Sequence, residues 1–149
     1  MKTKELIQSL GSQENNFDKL IKILNNKKNA IISNNTVQLE EILKEEERIL
    51  SVIQNEEKKR KSFIKEIADE NSVVLKDSSL EEFIGKMNSL PKDSMKQIKI
   101  VRESIREKAA KIVQLNSHLA LLTQISRNLI KESLLLAFGH GKQLVNRKV

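Results

Sequence analysis

Histidines and cysteines are the side chains most often used for metal binding and nucleophilic chemistry, and this sequence offers very few of them. There is no cysteine, and the two histidines, His118 and His140, stand 22 residues apart, outside any common metal-ligand spacing. We interpret His118 as a surface or interface residue and His140 as a cation in a glycine-bounded turn. The sequence therefore predicts no metal site, no disulfide and no cysteine nucleophile.

Two acidic runs, Glu45-Glu46-Glu47 and Glu56-Glu57, are the other candidates for chemistry. Consecutive side chains on a helix point in different directions, so these carboxylates do not converge on one site. We interpret them as solvated groups that pair with neighbouring lysines and arginines. The sequence also lacks a glycine-rich phosphate loop, a dinucleotide fingerprint and a nucleophile elbow. We therefore expect a protein that is not an enzyme and that needs no cofactor.

A basic run is the strongest electrostatic feature of a chain whose formal net charge is +7. Residues 92–111 contain seven basic and three acidic side chains. This run has no interleaved aromatic residues for base stacking and no helix-turn-helix motif. The pattern favours a solvated helix face, with nucleic-acid binding kept as an alternative.

The composition indicates long helices. Of the 149 residues, 32% are charged and 38% hydrophobic, with only four glycines and one proline. Such a composition is typical of coiled-coil-like helices. We expect one domain over 1–138 and a basic, disordered tail over 139–149. The N-terminus does not resemble a secretory signal, and together with the lack of cysteine this predicts a cytoplasmic protein.

Apolar residues recur at steps of three and four, which predicts helices over 4–33, 37–71 and 92–138 and a short helix over 80–87. Gly11 predicts a frayed turn or kink in the first helix, and Thr36 is the expected N-cap of the second. Glu56, Glu57 and Arg60 form a polar waist in the second helix, where we expect its partner to bend away or supply opposite charges. Pro91 suits the first turn of the last helix.

The most apolar segment is QLNSHLALLTQISRNLIKESLLLAF, residues 114–138. A membrane span is excluded because Arg127, Lys131 and Glu132 interrupt it. Its apolar positions spread beyond a single seam into a broad band, and leaving such a band in water is costly. The band therefore predicts a surface that is divided between the protein's own core and a partner.

Two segments carry a resemblance to a known family. The first, LIKILNNKKNAIISNNTVQLEEILKEEERILSVIQNEEKKRKSFI, spans residues 20–64 and places two helices around a short polar break. The second is the segment 114–138, in which Leu115-Asn116 is followed by Leu121-Leu122 and then Ser126. In the order and pattern of these parts, the chain resembles the FlgN family of flagellar export chaperones.

This resemblance implies a cytoplasmic, non-enzymatic chaperone that binds hook-filament junction proteins. It would keep their terminal helical segments from assembling early and deliver them to the flagellar type III export apparatus. It also implies that the C-terminal amphipathic helix binds the substrate protein. The expected binding residues are Leu115, Asn116, Leu119, Leu122, Ile125, Leu129, Ile130 and Leu134.

We therefore expect an all-α protein, an antiparallel bundle of three long helices with a short helical connector. No small-molecule substrate, metal or cofactor is predicted. Two other functions remain open at this point. One is a scaffolding coiled-coil homodimer that uses the same apolar band, and the other is a basic helical nucleic-acid-binding protein.

Overall fold

The computed structural model describes residues 2–137, which form four α-helices and no strand. The helices are α1 (Lys2–Ile32), α2 (Thr36–Glu70), α3 (Leu80–Lys86) and α4 (Lys92–Ala137). The predicted all-α class is confirmed, and the helix ends lie within two residues of the predicted ones. Phe138 and the predicted tail over 139–149 lie outside the described residues. Among the helices that are described, none has a stretch long and apolar enough to cross a membrane.

The turn between α1 and α2 is built by two asparagines. Asn34 has a left-handed backbone (φ 57°), a conformation that asparagine tolerates better than most residues. The Asn35 amide donates to the Ala30 carbonyl at 3.0 Å, and its side-chain oxygen accepts from the Gln38 amide at 3.1 Å. Asn35 is therefore the N-cap of α2, and the prediction of Thr36 was wrong by one residue. Thr36 is already the first helical residue.

The contacts of α1 define the direction of its two long neighbours. From the start to the end of α1, its side chains contact α2 residues of decreasing number, in the pairs Lys2–Glu66, Gln13–Ile53 and Lys27–Glu46. These two helices are therefore antiparallel. With α4 the residue numbers increase together: Leu6 shares a core cluster with Ile98, and Leu24 shares one with Leu119. Thus α4 runs in the same direction as α1, which packs against both α2 and α4.

The buried apolar side chains form two separate clusters. The basal cluster lies where α1 begins and includes side chains from all four helices: Leu6, Leu10, Ile64, Ile67, Phe83, Met87 and Ile98. The hairpin cluster lies towards the α1–α2 turn and contains Leu20, Leu24, Ile49, Leu115 and Leu119. The short helix α3 contributes only to the basal cluster, so α1, α2 and α4 alone close the hairpin cluster.

A polar layer separates the two clusters. Gln13 and Asn16 are buried, and Asn16 donates its amide hydrogen to the Gln13 side-chain oxygen at 3.2 Å. Gln13 in turn donates to the Ile53 carbonyl at 3.1 Å. In the polar waist of α2, Arg60 donates to Glu57 of its own helix. The opposite charge expected from the partner helix is therefore supplied within α2, while α1 contributes neutral amides to this layer.

The connector before α4 is ordered by capping hydrogen bonds. The Ser79 hydroxyl accepts from the Glu82 amide at 3.1 Å, and the Glu82 carboxylate accepts from the Lys76 amide at 2.7 Å. The first bond satisfies an amide in the first turn of α3, and the second ties the preceding loop to that turn. It holds Phe83 and Met87 in the basal cluster, where both are almost fully buried.

Candidate protein-binding surface

The first part of the predicted binding set belongs to the protein's own core. Leu115 and Leu119 are only 8% and 5% exposed, because they pack in the hairpin cluster with residues of α1 and α2. The binding prediction is therefore narrowed to the residues of α4 that remain accessible. Leu122 is half-buried, and Asn116 is exposed.

The helix α4 is much longer than the helix it packs against. It has 46 residues, whereas α1 has 31. The two helices start side by side, since Thr3 and Lys4 line the same cleft as Pro91 and Ser94. The extra length of α4 must therefore lie at its C-terminal end.

Ser126 and Arg127 of α4 line a cleft of about 270 Å³ together with Asn34 and Asn35 of the α1–α2 turn. Residues 128–137 continue as helix beyond this point. Ten helical residues span about 15 Å. We call this segment, 128–137, the overhang. All of its side chains are exposed except Leu135, which is half-buried.

The overhang continues the apolar seam of α4 after its partner helix has ended. Leu129 and Ile130 are 57% and 60% exposed, and Ile125 before them and Leu134 after them are exposed as well. The other side of the helix is polar, with Gln124 donating to Asn128 at 3.3 Å. An amphipathic helix whose apolar face has no partner among residues 2–137 is a surface onto which a second amphipathic helix can pack.

The sequence-based set also missed exposed apolar residues on α4. Val113, Leu121 and Leu136 are all more than half exposed, yet none of them was predicted to bind. Leu136 follows Leu129 by one heptad, so the seam periodicity contained the signal for it. No comparable signal distinguishes Val113 and Leu121, because their exposure depends on which neighbouring helix lies where.

The basic run of α4 is partly neutralised by contacts within the chain. Arg102 and Arg106 both pair with Glu81, at 3.0 and 3.4 Å. Lys108 pairs with Asp18 at 3.1 Å and with Glu14 at 3.5 Å. Burial disfavours the charge on Lys108, but these two carboxylates outweigh that effect and raise its pKa. Three of the seven basic side chains are thus engaged internally, which weakens the case for a nucleic-acid-binding face.

The described residues hold no cluster of histidine, cysteine and acidic side chains that could bind a metal ion. What this surface offers is apolar helix packing beside a mixed polar face. Such an arrangement suits packing against another amphipathic helix.

Comparison with known proteins agrees with this description. The family model described as FlgN protein matches residues 1–146, essentially the whole chain. Neither the curated proteins nor the solved structures gave a match. A family match of this extent, on a chain that is all helical and exposes one apolar helix end, identifies the protein as a member of the FlgN family of flagellar export chaperones.

Proposed function

We propose that this protein binds hook-filament junction proteins in the cytoplasm through the C-terminal part of α4 and delivers them to the flagellar type III export apparatus. In this proposal the three long helices act as one up-down-up bundle that holds α4 in place. The binding residues are the accessible members of the predicted set: Ile125, Leu129, Ile130 and Leu134, with Leu122 at the inner edge.

The observation that carries this proposal is the overhang. An export chaperone must present apolar surface to its client while its own fold stays intact. The overhang offers this because its seam continues the one that packs on α1, but the α1–α2 turn ends before it. Membership in the FlgN family supplies the class of client.

The proposed mechanism is occlusion. A client helix laid against the overhang buries its own apolar face, which is then withheld from other subunits until export. Each leucine-sized side chain that becomes buried contributes roughly 1.5–3 kcal/mol. Such binding requires neither a nucleotide nor a metal ion, since the free energy comes from removing apolar surface from water.

The test compares two substitutions on one helix. Ile130→Asp places a charge in the overhang, and Ile100→Asp places the same charge on a side chain of nearly equal exposure, 60% against 59%. Ile100 lies on the same helix beside Met87 and Leu90, at the end away from the overhang. Binding to purified hook-filament junction proteins is measured by calorimetry. We expect Ile130→Asp to weaken binding by about tenfold or more and Ile100→Asp to change it little.

Equal affinities for the wild type and Ile130→Asp would refute the overhang as the binding surface. Self-association is the main rival outcome, because the exposed apolar residues of the overhang could pair with a second copy of the chain. Light scattering distinguishes client binding from self-association. A wild-type dimer that Ile130→Asp converts to a monomer, without binding of the junction proteins, would assign the overhang to a scaffold homodimer.

A further inference from the structure

The short helix α3 occupies one side of the molecule, between α2 and α4. Its first residues, Leu80 and Glu81, line a cleft with Glu57 of α2 and Arg106 of α4. Glu81 also pairs with Arg102 and Arg106. In the basal half, α3 is therefore an added helix that lies across the space between two long helices.

The two walls of this space continue beyond the start of α3. Residues seven apart lie on the same face of a packed helix. Towards the α1–α2 turn, Leu50 and Leu43 lie seven and fourteen residues before Glu57 on α2. In the same direction, Val113 and Ala120 lie seven and fourteen residues after Arg106 on α4. We call these four residues the upper strip. All four are exposed, and they replace the charged walls beside α3 with apolar ones.

The core beneath the upper strip is already buried. Leu20 and Leu24 of α1, which lie in the hairpin cluster, are 5% and 1% exposed. A partner would therefore lie on this surface without opening the core. The geometry matches the basal half, where α3 lies on the long helices and covers the basal cluster with Phe83 and Met87.

The upper strip also joins the overhang. Leu43, at the far end of the strip, lines the same cleft as Arg127, the last residue of α4 before the overhang. A ligand that extends from one surface to the other would thus meet apolar side chains along its path, with the Arg127 guanidinium at the junction.

We propose that the upper strip seats a second amphipathic helical segment of the client protein, continuous with the segment that binds the overhang. This inference rests on the proposed function. The occupant is a helix because α3 shows what this side of the molecule accepts. Its apolar residues Leu80, Phe83, Ile84 and Met87 follow the spacing i, i+3, i+4 and i+7. A client segment with this spacing fits the strip, and an acidic side chain at its end would face Arg127.

The experiment uses the full chain and purified hook-filament junction proteins. The test variant is Leu50→Glu with Val113→Glu, and the matched control is Val52→Glu with Ile100→Glu. Leu50 and Val52 are 42% and 41% exposed on the same helix, but Val52 lines a cleft on another side, with Lys19 and Lys22. Ile100 lies on α4 beside Met87 and Leu90, at the end away from the overhang. We expect the test variant to weaken binding about tenfold and the control to change it less than about threefold.

A second measurement does not depend on the charged variants remaining folded. A photo-crosslinking amino acid is placed at position 50 or at position 52 of the otherwise unchanged chain. We expect the client to be crosslinked from position 50 and not from position 52.

The outcomes separate the two proposals. If the wild type binds the junction proteins, and position 50 neither crosslinks nor affects affinity, the upper strip is refuted while the proposed function stands. If the wild type does not bind them at all, both proposals fall. If position 50 crosslinks to a second copy of this chain, and Leu50→Glu with Val113→Glu dissociates a dimer, the strip is a self-association surface and the client proposal is overturned.

Discussion

At the residue scale, the turn between α1 and α2 was predictable from the sequence, whereas the residue that caps α2 was not. The run Ser33-Asn34-Asn35-Thr36 is a clear signal for a break, and the break is there. Which residue caps α2 was misjudged, because asparagine and threonine are both good N-caps. The choice depends on backbone angles: Asn34 takes the left-handed conformation, and this leaves Asn35 extended and in reach of the Gln38 amide.

The buried amides of Gln13 and Asn16 could not be recognised from the sequence. Both residues are usually exposed, and neither interrupts the apolar periodicity enough to mark a layer. Their burial follows from the polar waist of α2, which lies opposite them and prevents an apolar core at that level. Only the pairing of two distant segments reveals this.

Gly11 gives a prediction at the same scale. It was expected to fray or kink the first helix, but it lies inside a continuous α1, and a Cβ added there meets nothing within 4 Å. Gly11→Ala should therefore stabilise the protein by about 0.5–1 kcal/mol, since alanine loses less backbone entropy in a helix. Urea unfolding measures the change. An unchanged or lower stability would show that the first turns of α1 are not helical in solution.

At the element scale, the helices themselves were predictable because each one has its own apolar periodicity and its own breaks. Pro91 and the Ser79 cap define the connector without reference to the rest of the chain. The division of α4 into a core part and an exposed part was not predictable in detail. The same leucine seam runs through both parts, and it becomes a surface only where α1 has already ended.

The connector should keep its capping hydrogen bonds to lower pH than ordinary carboxylates would allow. The Ser79 amide lowers the pKa of Asp77, and the Lys76 amide lowers the pKa of Glu82. Carboxylates with lowered folded-state pKa values stabilise the fold at pH above their unfolded values, near 3.8 and 4.5. That contribution is lost as the pH falls through the lower folded-state values. Amide NMR signals of residues 76–82 should therefore shift only once the pH falls below the unfolded values near 3.8 and 4.5.

The control for this acid response is Asp77→Asn with Glu82→Gln, which removes both titrating groups. The response of residues 76–82 should then be largely absent, while the amides of α1 keep the behaviour of the wild type. An acid response of the connector that persists unchanged in this variant would show that other groups are responsible.

At the scale of the whole molecule, composition and periodicity predicted the all-α class, but the placement of the helices required the structure. The direction of α4 relative to α1, and the position of α3 between α2 and α4, follow from contacts between residues far apart in the sequence, such as Lys108 with Asp18, which are 90 positions apart. These contacts leave no local pattern in the sequence. The candidate site was equally hard to predict from the sequence, since the exposure of side chains on α4 depends on the length of α1.

Folding and binding should therefore depend on different parts of α4. Leu119→Ala removes a side chain from the hairpin cluster and should cost about 2–5 kcal/mol of unfolding free energy. Leu129→Ala is the matched substitution in the overhang, where the side chain is 57% exposed, and it should change stability by less than about 0.5 kcal/mol. Urea unfolding of the two variants provides the comparison. A loss at Leu129 as large as that at Leu119 would mean that the overhang packs internally.

The polar layer at Gln13 and Asn16 has a consequence for the way the molecule opens. It divides the core unequally, with seven buried apolar residues in the basal cluster and five in the hairpin cluster. Units of a core that are separated in this way can open one at a time, the smaller unit more often. Amide hydrogens beside the α1–α2 turn should thus exchange with solvent sooner than those near α3. The end of the molecule that carries the overhang is then also the end that most readily adjusts its shape, whereas the connector end serves as the rigid base.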